Sequence, residues 1–297
     1  ERFRPDVIHL TGPSELGMFG AYFACEMGVP LVASWHTNVH EYAARRMRWL
    51  TRRLSTRTGA ATERGVEAGS LWTASQFYKQ ARVLYAPNDE LCALLERTTG
   101  KPCRLMQRGV DTEMFSPAHR TRTDESVVLG YVGRLSVEKN VALLAGVERE
   151  LAAMGVTGVR FLIVGHGDEE ASLRAELREA DFAGVLRGSE LAQAYANMDV
   201  LVFPSHTDTF GNVVLEALAS GVPAVVTPDG GPKFIVRDGE TGFVTRDDGF
   251  AAAIATLARE RGRLAEMRTR AREYALGCSW DAVFDRVYEG YRAAIDQ

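Results

Sequence analysis

What this chain has little of excludes several kinds of protein. Its four cysteines (Cys25, Cys92, Cys103, Cys278) are scattered, with no C-x-x-C pair and no metal-ligand spacing. That excludes a disulfide scaffold and a structural zinc site, and it suits small buried hydrophobes in a reducing compartment. No apolar run approaches the roughly 18–20 residues needed to span a bilayer, and no signal-peptide pattern is visible. Neither sign of charge dominates: 35 Lys+Arg face 39 Asp+Glu, for a net charge of −4, which argues against nucleic acid as the main partner. Internal repeats and low-complexity stretches are absent as well. What remains is 297 residues, 46% apolar and 25% charged, an ordinary globular composition. At about 150 residues per domain it is long enough for two domains. The expectation is a cytoplasmic two-domain α/β protein.

Short apolar strands alternate with helical stretches, the pattern of parallel sheets wrapped by helices. Strands are expected at Asp6–Leu10, Leu31–Ser34, Arg82–Ala86 and Cys103–Gln107. A polar string rich in Arg and Thr, Ser116–Ser126, has linker composition and sets a domain boundary near residue 118. Beyond it, strands are expected at Val127–Val132, Phe161–Val164, Asp199–Phe203 and Val222–Val226. From Ser279 to Ile295 apolar residues recur every three to four positions, which predicts a helix.

The segment Phe203–Val226, FPSHTDTFGNVVLEALASGVPAVV, carries the most information. An apolar strand runs into a polar turn, a helix starts near Gly211, and a Gly-Val-Pro break leads to another strand. Asp208 and Glu216 flank the helix start. Free N–H groups and the positive end of a helix dipole attract anions, and carboxylates accept hydrogen bonds from sugar hydroxyls. A ligand that joins a sugar to a phosphate matches this mixture.

The D-x7-E spacing alone is weak, but TFG follows the first acid and EALASGVP contains the second. With them the segment resembles the acidic-x7-acidic signature of retaining glycosyltransferases of family 4, close to the bacterial branch of GDP-mannose-dependent α-mannosyltransferases and sulfoquinovosyl-diacylglycerol synthases. Asp208 stands where that signature usually has Glu. The resemblance covers essentially the whole chain and implies a GT-B fold: two Rossmann-like domains facing across a cleft. Residues 1–118 would form an acceptor-side domain, 119–278 a nucleotide-sugar-binding domain, and the helix 279–297 would cross back to the first. In the family RPDVIHL lies well inside the N-terminal domain, so the resemblance also implies that this domain is incomplete here.

The resemblance assigns roles to particular residues. Gly133-Arg134-Leu135-Ser136-Val137-Glu138-Lys139 matches the family pattern G-R-x3-E-K directly after a strand, where open α/β sheets bind ligands. Taken by itself the string also reads as a solvated turn. The family implies that Gly133 lets the backbone approach the donor and that Arg134 and Lys139 hold the departing diphosphate. Glu216 would accept the ribose hydroxyls, and Asp208 would lie near the hexose with the amides of Phe210, Gly211 and Asn212. His36, in the S-x-H-T-N context after the strand Leu31–Ser34, would hydrogen-bond the transferred sugar or its phosphate, although a lone His is more often structural. His9 reads as structural. Gly165 opens a GxG loop that is either a nucleotide contact or a tight turn, and Gly230–Lys233 is a similar loop. Leu186, Arg187 and Gly188 resemble the base-reading region.

The implied reaction is transfer of a hexose with retention, best matched by mannose from GDP-mannose, to a lipid or glycan hydroxyl. No DxD motif follows a strand, so no metal or other cofactor is expected. Alternatives are a UDP-sugar-dependent glucosyl or sulfoquinovosyl transferase, a nucleotide-sugar-binding fragment without turnover, and a GT-B phosphorylase or epimerase. Six arginines with no acid among them, interleaved with Met47, Trp49, Leu50 and Leu54, fill Arg45–Gly59. Such a run reads either as a solvated helix face or as contact with an anionic membrane surface, the second placing the protein peripherally on the inner face of the membrane.

Overall fold

The computed structural model describes residues 3–35, 69, 71–208 and 210–297. His36 and the basic run 45–59 lie outside them. The chain divides into two compact units, residues 1–107 with 283–297, and residues 108–282.

The first unit is built on a parallel sheet in the order β1 (Ile8–Leu10), β2 (Leu31–Ser34), β3 (Val83–Ala86), β4 (Cys103–Leu105). Every residue of β2 and β3 is buried, as expected of central parallel strands covered on both faces. The helix Glu15–Met27 is started by Ser14, whose Oγ accepts from the Gly17 N–H, and stopped by Gly28 in the left-handed region. It packs through small residues, Gly17, Ala21 and Ala24.

The last helix, Trp280–Ile295, buries Val283, Val287, Gly290 and Ala294, the stripe its spacing predicts. From Val283 onward it belongs to the first unit. Tyr85 Oη donates to the Val287 carbonyl at 2.7 Å, and a Cβ on Gly290 would fall 2.0 Å from Tyr85 Oη. His9 has a structural place here: it stacks on Tyr85, and a 2.6 Å hydrogen bond joins its Nδ1 to Tyr291 Oη.

The second unit carries a parallel sheet of six strands in the order β10-β9-β8-β5-β6-β7. These are β5 (Val127–Val132), β6 (Val159–Val164), β7 (Ala180–Gly184), β8 (Val200–Phe203), β9 (Ala224–Val226) and β10 (Gly242–Val244). The sequence expectation lacked β7 and β10, the two edges. In β7 the residues alternate between half-buried and exposed, and β10 has only three residues, so neither shows a continuous apolar run. The chain winds outward from β5 in both directions, because β5 pairs with β6 on one side and β8 on the other. That reversal is a topological switch point, and ligands of open α/β sheets bind beyond the carboxyl ends of the strands there.

The string Ser116–Ser126 is not a free linker. Arg120 and Arg122 each reach Asp199 at 2.8 Å, and Arg268 reaches it at 3.3 Å. Upstream, Arg272 donates to the carbonyls of Thr112 and Phe115, and the Val110 N–H donates to the Cys278 carbonyl. Residues from 108 on are therefore tied to the second unit, and the two compact units meet in the chain between 107 and 108. The arginines that suggested a solvated linker serve a buried carboxylate instead.

Candidate functional site

The switch point gathers most of the expected residues. After β5 the chain turns through Gly133 (φ 152) and Arg134, then makes a single 3₁₀ turn over Val137–Lys139. After β8 it passes Pro204–Thr207 to Asp208. The two loops meet in an ion pair: Lys139 Nζ donates to both oxygens of Asp208, at 2.7 and 2.8 Å. Each side chain is 22% exposed, so the pair lies open to a ligand. Arg134, on the same loop as Lys139, has its side chain 74% exposed and makes a loose 3.9 Å contact to Glu138.

Gly211 caps the helix Asn212–Ala219 in the left-handed region (φ 98), with no side-chain cap. A Cβ there would come within 2.9 Å of Pro232 Cγ, so glycine is required on both counts. Asn212 is exposed at the helix start, whereas the Phe210 ring is buried in the core and leaves that residue's backbone at the loop. One turn further on, Glu216 is half-buried and accepts a 2.8 Å hydrogen bond at Oε2 from Tyr195 Oη. Burial raises the Glu216 carboxyl above its ordinary range, and the Tyr195 bond only partly offsets this. Burial also raises the Tyr195 phenol well above its usual value, so it remains a donor at any neutral pH.

The expected glycine loops divide by use. Gly165 (φ 138) packs on the β5 loop: a Cβ would lie 1.8 Å from the Gly133 carbonyl oxygen. A Cβ on Gly230 would lie 2.6 Å from the Asp208 carbonyl oxygen, and the Gly231 N–H donates to that oxygen at 2.7 Å. These glycines hold the Arg134 and Asp208 loops in place by backbone contact. Arg187 is exposed and occupies the position preceding the helix Gly188–Ala196. His36 lies outside the described residues, so its expected role has no geometry here.

Tyr195 escaped the sequence reading because nothing local marks it. It is 21 residues from Glu216, on a different helix, and only the packing of those helices brings them together. Among the described residues no cluster of three or more His, Cys, Asp or Glu could hold a metal ion, and no helix is long and apolar enough to cross a membrane.

Residues 126–260 match the family Glycosyl transferases group 1, and residues 1–114 match Glycosyltransferase Family 4. A GDP-mannose-dependent alpha-mannosyltransferase of Mycobacterium tuberculosis (strain CDC 1551 / Oshkosh) is 35% identical, over 98% of this chain and 74% of its own length. Sulfoquinovosyl transferase SQD2 of Arabidopsis thaliana is 32% identical, over 99% of this chain and 58% of its own. Among solved structures, Anabaena HepE in complex with UDP and glucose superposes with a TM-score of 0.67 at 19% identity, covering 96% of this chain and 77% of that one. A glycosyltransferase from Rickettsia africae gives 0.72 at 14% identity, covering 98% and 77%. The chain belongs to the family 4 glycosyltransferases: it is a transferase with two Rossmann-like units of the GT-B fold.

Proposed function

We propose that this enzyme moves mannose from GDP-mannose, with retention, to a lipid or glycan hydroxyl. The observation that carries the reading is the Lys139–Asp208 pair, open at the β5/β8 switch point, with Arg134 on the Lys139 loop and Glu216 one helical turn beyond Gly211. Glu216, held at one oxygen by Tyr195, offers the other to the ribose diol. Arg134, Lys139 and the uncapped Gly211 helix terminus meet the charge that develops on the departing diphosphate, as preorganised donors do. Lys139 is already paired with Asp208, so donor binding places phosphate against the ammonium while the carboxylate turns to the hexose hydroxyls. The freed phosphate then takes the proton of the acceptor hydroxyl on the same face, which preserves the anomeric configuration. No side chain is assigned as a covalent nucleophile.

The choice of mannose rests on the GDP-mannose-dependent relatives at 35% and 36% identity. A sulfoquinovosyl reading is favoured by the Arabidopsis sulfoquinovosyl transferase at 32%. Titration with GDP, UDP and ADP separates the two: selective GDP binding supports the mannosyl donor, and selective UDP binding replaces it with a glucosyl or sulfoquinovosyl donor. We also propose that the cations of the site make a metal unnecessary, so turnover in excess EDTA equals turnover without it. A lipid acceptor is the reading suited to the basic run 45–59, and co-sedimentation with anionic but not neutral vesicles is its expected signature.

A further inference from the structure

Loops at the carboxyl ends of β5, β8, β9 and β10 are laced together by polar groups that the reaction above does not use. His206 is central. Its Nδ1 lies 2.8 Å from Asp229 Oδ2 in the loop after β9, and its Nε2 lies 3.1 Å from Asp247 Oδ1 after β10. Asn140, next to Lys139, has φ 53, the one positive φ at a non-glycine residue among the described residues. Its Nδ2 donates to the Pro204 carbonyl at 3.3 Å and to Asp247 Oδ2 at 3.1 Å. Thr227 Oγ1 donates to the Ser205 carbonyl, and Thr207 Oγ1 to the Glu138 carbonyl. Asn adopts this left-handed conformation readily, and here it ends the turn Val137–Lys139 while its side chain ties that loop to the loops after β8 and β10.

We propose that His206 and Asn140 are positioning residues for the Lys139–Asp208 pair. The His206 imidazolium draws the loops bearing Asp208, Asp229 and Asp247 together, and the site's grip on an anionic ligand weakens when its proton leaves. The ligand side of this inference rests on the reading of that pair as a phosphate- and sugar-binding site. Only the charged ring donates from both nitrogens; the neutral ring turns a lone pair toward one of its two carboxylates. The groups facing the ring are Asp229 from the β9 loop, Asp247 from the β10 loop and the neutral Asn140 amide from the β5 loop. Burial disfavours the charged ring, but the bonds and charges of Asp229 and Asp247 outweigh it, and the pKa is raised above the ordinary histidine value. A raised pKa means that the network is intact at lower pH and is lost as pH rises through that value.

The test follows the His206 ring and the Asp208 and Gly231 amides by NMR against pH in the whole chain, with GDP affinity measured over the same range. The expected ring midpoint lies above about 6.5. Both amides shift with it, and GDP binds about 10-fold more weakly above it. Asp229→Asn, at an exposed position, lowers the midpoint, and His206→Gln gives weak, pH-independent GDP binding with amides that no longer titrate. Amides that ignore the ring midpoint, or a His206→Gln protein with the unaltered pH profile for GDP, overturn the proposal. Amides that follow the midpoint in a protein that binds no nucleotide at any pH uphold the positioning network and remove the nucleotide-sugar reading instead.

Discussion

The strand Val200–Phe203 has an aspartate beyond each end, and the two are used in opposite ways. Asp199, at the amino end, is 5% exposed; it meets three arginines and accepts from the Val128 N–H. Its cations are spent on protein: Arg120 and Arg268 also donate to the Met198 carbonyl, Arg120 to the Ala196 carbonyl and Arg122 to the Asn197 carbonyl. Asp208, at the carboxyl end, meets a single lysine in an open pair, with an exposed arginine on the lysine's loop. Burying an ion pair costs desolvation that only extra hydrogen bonds recover, so the saturated cluster locks the fold and leaves nothing for a ligand. The unsaturated cluster still has cations that an anion can satisfy. Completeness of pairing, more than the presence of charge, distinguishes a structural ionic site from a binding one.

The largest expected effect breaks the structural end. Asp199→Ala leaves its arginines facing one another and should cost about 3–5 kcal/mol of stability, read as a lowered urea midpoint. A midpoint that does not move would mean that the cluster is not what closes the unit. At the other end, Lys139→Ala should lower turnover of the nucleotide sugar by about 10²-fold or more with the urea midpoint nearly unchanged. Near-normal turnover would remove Lys139 from the reaction. Next comes Tyr195→Phe, which keeps the ring's packing and deletes only the bond to Glu216. About 10-fold weaker nucleotide binding is expected, and equal affinity by calorimetry would detach Tyr195 from the site.

The smallest effect separates the two aspartates by pH. The Asp199 carboxyl is buried, which alone would raise its pKa, but the Val128 N–H and the arginines hold it below the usual carboxylate range. A depressed pKa contributes stability that is present above the unfolded value of about 3.9 and is lost as pH falls through the folded one. Thermal unfolding of the native chain should therefore fall more steeply below about pH 4 than that of Asp199→Asn. Parallel curves would contradict this assignment.

How much of this could be read in the residues follows the same division. The strands beside the site announced themselves as continuous apolar runs, and the two loops that meet at the site carry local patterns, G-R-x3-E-K and D-x7-E. The Asp199 cluster gave no such sign. Its arginines come from positions 120, 122 and 268, and the first two lie in a string whose polarity suggests solvent. Tyr195 and Glu216 likewise meet only because two helices pack. The missed edge strands β7 and β10 lack the apolar continuity that two-sided burial imposes on β5 and β8. Local chemistry is written in consecutive residues, whereas partners supplied by packing are not.

The most direct test of the account is calorimetric titration of GDP into the native chain, Lys139→Ala and Glu216→Ala, without added metal. The native chain should bind GDP, and each variant should bind it at least about 10-fold more weakly. Equal affinity in all three, or no binding by the native chain, would contradict the placement of the donor at the carboxyl ends of β5 and β8.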